Sequence, residues 1–185
     1  MARTHAAKAK IELGGQKSAA KYPDIRKTPD CLLAVACSKA PPTPEQCLTI
    51  IEEYFRDRCV VLDSARSSAA KVEGFQVGHQ LLTMLRKLAT KYRDALLDGG
   101  DYAARDVFGS SKYAAKESAT VMKSPKLKRL RTFIYEGKPV VMQRHLKIGV
   151  KDSTTETIRV HFHWDAAKRL IVIGYCGEHL PVFSH

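Results

Sequence analysis

The sequence predicts an α+β protein: an antiparallel sheet of about four strands, a C-terminal meander, packed on a helical hairpin and preceded by an extra helix and a basic arm. Three observations lead there. From Phe75 to Leu97, apolar residues Val77, Leu81, Leu85, Leu88, Tyr92 and Leu96 recur at helical spacing. After Arg131 the period changes to two, in runs separated by short polar turns. Between these stretches lies a strongly basic segment with no long apolar run.

Taken in order, residues 1–30 mix Ala, Lys, Gly and Ser with little periodicity and read as a flexible basic arm, leaving 31–185 as a single α+β domain. The apolar run Cys31 to Cys37 reads as a strand or a buried helical turn, and Ala40-Pro41-Pro42 breaks the chain. Thr43-Pro44-Glu45 is a helix start: a capping hydroxyl, proline in the first turn and an acid facing the helix dipole. That helix is expected to reach about Arg56. Cys59-Val60-Val61-Leu62 is β-prone and is ended by the small and polar residues Asp63 to Ala70. Gly99-Gly100 should stop the long helix, with further helical stretches from Tyr102 to Val107 and from near Lys112. Pro125 should interrupt or restart the last of these. Thr132 to Tyr135 and Pro139 to Gly149 flank the turn Glu136-Gly137-Lys138, and Thr157 to Trp164 and Arg169 to Tyr175 flank Asp165 to Lys168. Two hairpins in succession make a meander.

Charge narrows the function. The 185 residues carry a net +12, of which residues 1–30 hold +4 and residues 112–131 hold +6. A polyanion that releases its counterions would relieve this crowding, so nucleic acid is the expected partner. Lys123, Lys126, Lys128, Arg129 and Arg131 are the candidate contacts. No segment has the apolar length to span a bilayer and residues 1–30 lack a signal-peptide core, so no membrane role is expected. The five cysteines include no C-x-x-C pair and read as reduced thiols of a cytoplasmic protein, mostly core filler. Glycine-rich phosphate loops, H-E-x-x-H and G-x-S-x-G are absent from the sequence, and aromatics at 8% are too few for a base-stacking platform.

Alternation in the strands supplies the candidate chemistry. Ile158, Val160, Phe162 and Trp164 share one face, expected to meet the long helix, and Arg159, His161 and His163 share the other. If Leu146 and Ile148 face the core, His145 and Lys147 join that second, open face. RNA cleavage without a metal needs a base, an acid and cations for the charge that builds on phosphorus, and His, Lys and Arg are suited to those tasks. The plainer alternative is a solvated polar sheet face. A zinc set of His161, His163, Cys176 and His179 competes for the same residues; no cofactor is expected otherwise. The glycines around Tyr175-Cys176 and before Glu178-His179 suit a tight turn that places Tyr175 or His179 at a site.

The run Ser124-Pro125-Lys126-Leu127-Lys128-Arg129-Leu130-Arg131, the strand Thr157-Ile158-Arg159-Val160-His161-Phe162 and the turn from Asp165 into Ile171-Val172-Ile173-Gly174 resemble the RelE/ParE/HigB superfamily of bacterial toxins, over about the C-terminal two thirds. The resemblance implies a small sheet with two helices on one face and, in the RelE and HigB branches, ribosome-associated mRNA cleavage. By position, Lys147, Arg159, His161, Tyr175 and His179 are the implied catalytic residues, and an antitoxin is an implied partner. The chain departs from those toxins in its length and in holding Tyr175 where histidine or arginine is often found. The ParE branch lacks ribonuclease activity, so the fold alone does not fix the reaction. The sequence expectation is therefore a toxin-like endoribonuclease using metal-independent acid/base chemistry, with His161 or His179 as acid or base and Lys147 and Arg159 on the phosphate. The alternative is a non-catalytic nucleic-acid-binding or adaptor subunit.

Overall fold

The computed structural model describes residues 38–149, 153 and 155–182. The expected arm and the apolar run 31–37 lie outside the described residues. The first helix, α1 (Pro44–Tyr54), starts where the sequence places it, but its cap is a full capping box: Gln46 N–H donates to Thr43 Oγ1, and Thr43 N–H donates to the Gln46 side chain at 2.9 Å. Cys47, Leu48, Ile50 and Ile51 form its buried face. Strand β1 (Cys59–Val61) follows, and then a helix that the sequence reading missed, α2 (Asp63–Ala69). Its residues are small and polar, yet Ala65 and Ala69, four apart, form a buried stripe that lies close to the sheet.

The long periodic stretch becomes α3 (Gly78–Lys87), one wide π turn (Leu88–Tyr92) and α4 (Arg93–Arg105). The expected stop at the glycine pair is a break rather than an end: Gly100 takes φ 68°, and helical geometry resumes beyond it. Where a helix was expected from Lys112, the structure has the short strand β2 (Tyr113–Ala114). Tyr113 is buried in an aromatic cluster with Tyr92, Phe108 and Phe162, so packing overrides the helical propensity of its alanine-rich surroundings. Two single-turn helices follow, α5 (Ala119–Lys123) and α6 (Pro125–Arg129), capped by the hydroxyls of Ser118 and Ser124, with Pro125 restarting the chain.

The remaining strands are β3 (Thr132–Tyr135), β4 (Lys138–Val141), β5 (Arg144–Ile148), β6 (Ile158–Asp165) and β7 (Leu170–Gly177). They do not form one meander of four. The main sheet has five strands in the order β1-β7-β6-β5-β2, and β1 runs parallel to β7 while the other pairs are antiparallel. The β3–β4 hairpin is a separate two-stranded sheet. The expected strand 139–149 divides at Met142-Gln143: the Met142 N–H still extends the hairpin pairing to Arg131 O at 2.8 Å, whereas its carbonyl turns to His161 Nδ1.

One face of the main sheet is apolar. Leu146, Ile148, Ile158, Val160, Phe162, Ile171 and Ile173 join Leu81, Leu85, Leu88 and Tyr92 in a single buried core. Phe162 meets Tyr92 edge-on at 5.5 Å between ring centroids, so the packing of this strand face on the long helix is as expected. The β1 ladder ends at Ile173, and beyond it the edge of β7 is satisfied by α2: Ser64 Oγ donates to Gly174 O and Cys176 N–H donates to Ser68 Oγ. The other face of the sheet is covered by the β3–β4 hairpin. Gly174 makes this close approach possible, since a Cβ there would lie 2.5 Å from Met142 Sδ and 2.7 Å from the Phe133 ring. The hairpin is also tied at its tip, where Tyr135 donates to Asp165 and Lys168 pairs with Glu136.

Candidate functional site

The alternation in β5 and β6 is as the sequence predicts: His145, Lys147, Arg159 and His161 lie opposite the apolar core. What differs is the cover. The expectation of an open face gives way to a polar layer beneath the β3–β4 hairpin, and His161 is 2% exposed. The hairpin could not be read as a lid from sequence because its own strands alternate like members of the meander.

His145 and His161 are direct cross-strand partners, and their rings stack at 4.8 Å between centroids. Each Nδ1 lies against a main-chain carbonyl, His145 on Gln143 O at 3.0 Å and His161 on Met142 O at 3.1 Å. A carbonyl only accepts, so in both rings Nδ1 carries the proton. Tyr175 meets His161 edge-on at 5.8 Å, and its hydroxyl donates to Glu178 O at 2.8 Å. Glu117, in the segment between β2 and α5, closes the cluster. One oxygen lies 2.7 Å from Arg131 Nε and 4.0 Å from His145 Nδ1.

Arg131 therefore has a different part from the one expected of it. It is 1% exposed, and besides Glu117 it donates to Leu127 O at 3.2 Å and Pro181 O at 3.0 Å. It ties together the segment before α5, the end of α6 and the C-terminal tail. Its guanidinium is not presented to a polyanion. Glu117 was legible in one respect: it is the sole acid among residues 112–131. The sequence does not say which of the seven basic residues takes it.

The electrostatics follow from enclosure. Burial pushes the His161 pKa down to about 3, helped by neighbouring His145 and only partly opposed by the Met142 carbonyl and Glu117. His145 is lowered by burial as well, with Arg159 and Lys147 adding to the effect. Both rings are neutral at pH 7. Burial works to raise Glu117, but the hydrogen bond and charge of Arg131 outweigh it and hold the carboxyl below its ordinary value. Burial raises Tyr175 to about 12.

The other expected catalytic residues are not drawn into this cluster. Lys147 donates to Ser110 O at 3.0 Å. Arg159 donates to Ile158 O at 3.1 Å and lies 3.4 Å from Ile148 O. His179 is exposed, and no hydrogen bond or ring contact joins it to His161 among the described residues. The zinc set weighed from sequence is not assembled either: Cys176 is buried in the apolar core on the opposite face, away from His161 and His163.

The basic segment has a clear geometry. Lys112, Lys116, Lys123, Lys126, Lys128 and Arg129 are all exposed. None forms an ion pair among the described residues, because the one acid of the segment is held by Arg131. The capping turns at Ser118 and Ser124 hold Lys123, Lys126, Lys128 and Arg129 on two successive short helices. No described helix is long and apolar enough to cross a membrane. Comparisons with family models, with curated proteins and with solved structures each find no match.

Proposed function

We propose that this protein binds nucleic acid, with RNA the expected partner, through the exposed face of the segment from Lys112 to Arg129. The observation that carries the reading is the uncompensated charge: six exposed cations on about eighteen residues, with no carboxylate among the described residues within ion-pair distance of any of them. Holding six like charges together costs self-repulsion, and a phosphate backbone converts that cost into affinity through counterion release. Contacts of this kind position a polyanion and carry little base specificity. The basic residues of 1–30 would extend the same interaction.

Binding of a labelled single-stranded RNA, followed by fluorescence polarisation, tests the reading. Lys126→Ala/Lys128→Ala/Arg129→Ala should weaken it at least about tenfold at moderate salt. Equal affinity for the wild type and the triple variant would remove the basis of the proposal.

A toxin-like endoribonuclease acting by metal-independent acid/base chemistry is the second reading, supported by two imidazoles, a carboxylate and a phenol on one patch. Its acid or base would be His145 or His161, with Lys147 and Arg159 on the same strand face. Cleavage of that RNA by the wild type, lost in His161→Gln with binding retained, would favour it. Binding without turnover favours the non-catalytic module or adaptor.

A further inference from the structure

The polar cluster beneath the hairpin has a composition that phosphate binding does not require. We infer that Glu117, His145 and His161 form a binding site for a divalent transition-metal ion of the zinc class. One candidate ligand atom from each of the three lies within 4.8 Å of the other two. Three ligands at zinc bond lengths of about 2.0–2.1 Å around a tetrahedral ion stand roughly 3.4 Å apart. Side-chain rotations have to close these separations by up to about 1.4 Å and turn Nε2 of each ring to the ion, since the His145 nitrogen that lies 4.0 Å from Glu117 is Nδ1.

Two further features prepare the imidazoles. Each Nδ1 proton is held by a main-chain carbonyl, which fixes the tautomer and leaves the Nε2 lone pair for a metal. This is the usual outer partner of a metal-bound histidine. The two histidines come from directly opposed positions on adjacent strands, which fixes their backbones relative to each other.

Arg131 shapes the affinity. It engages one oxygen of Glu117 and orients the carboxylate, and no described partner holds the other oxygen. Its charge opposes a dication, so binding is expected to be weaker than in closed thiolate sites. With three protein ligands, the fourth position of the ion is left for water or an incoming group.

The test uses the full chain, stripped with chelator and titrated with cobalt(II) and with zinc. One ion per chain should bind, with the visible absorption of tetrahedral cobalt and no thiolate charge-transfer band. His145→Ala and Glu117→Gln should each lose at least about tenfold in affinity, while His163→Ala and His179→Ala should bind as wild type does. Because substitutions in a buried cluster can unfold the chain, imidazole nitrogen resonances of the wild-type protein give a second readout: zinc should shift Nε2 of His145 and of His161 together. Absence of saturable binding, a thiolate band, or unshifted resonances at these two rings would overturn the inference.

Discussion

Two parts of the molecule are built from the same twenty residues and treat charge in opposite ways. Within the span from Lys112 to Arg131, the single acid and one of the seven bases are buried together against Leu127 and the C-terminal tail, while the other six bases stand in solvent. The enclosed pair holds the fold: Arg131 joins Glu117 and Leu127 of its own segment to Pro181, fifty residues further on. The exposed six hold nothing together. A net charge read from composition counts both groups alike, and the difference between them is what separates a structural arginine from a binding surface.

The largest effect should come from the enclosed side. Arg131→Met leaves Glu117 without its partner, and breaking a buried pair costs about 3–5 kcal/mol. Equilibrium unfolding in urea should show that loss. Glu117→Leu combined with Arg131→Met should be less destabilising than Arg131→Met alone, since no buried charge is then orphaned. A loss below about 1 kcal/mol for Arg131→Met would mean that the pair is solvated.

Acid should act on the same cluster. The folded His161 pKa lies below its unfolded value, so between about pH 6.5 and about 3 the unfolded chain binds the extra proton and stability falls as pH falls. The slope from this residue is at most about 1.4 kcal/mol per pH unit, and His145 adds in the same direction. Glu117 adds to the decline below about its ordinary value of 4.5, because the unfolded chain's carboxyl takes a proton there while the Arg131 pair still holds the folded one ionised. Urea midpoints measured from pH 7 to pH 4 should therefore decline, with a shallower decline in His161→Gln. A flat profile in the wild type would show the histidines to be solvated.

The cover itself can be loosened separately. Gly174→Ala puts a methyl group against Met142 and Phe133, at distances that no packed carbon tolerates. Such overpacking costs about 1–3 kcal/mol, and hydrogen exchange should quicken in β3 and β4 before it does in β6. At the small end, Lys126→Ala/Lys128→Ala/Arg129→Ala should change stability by no more than about 0.5 kcal/mol per site, because these side chains are exposed and form no ion pair among the described residues.

Much of this architecture was legible and some was not, for identifiable reasons. The faces of β5 and β6 could be read because a period of two survives in Leu146, Ile148, Val160 and Phe162 whatever covers the polar side. The cap of α1 and the apolar face of the long helix were local signals of the same kind. Helix α2 was hidden because its stripe is only two alanines, and its serines act on β7, more than a hundred residues away. The parallel pairing of β1 was also beyond local pattern, since three residues carry no register information of their own. The hairpin over the polar face was the costliest omission. Nothing in Thr132 to Val141 distinguishes a strand of the meander from a strand that lies across it; the sign was Gly174, a glycine directly after the bulky run Leu170 to Ile173. For the site, residue types were readable and partners were not, so the same rule that placed His161 on the polar face gave no warning of its burial.

The salt dependence of RNA binding tests most directly whether the exposed cations act as a binding surface. If about six phosphates are met, log K should fall against log salt with a slope of about −4 for single-stranded RNA, and the triple variant should show about −2. Identical slopes in the two proteins, or an affinity indifferent to salt, would contradict the account.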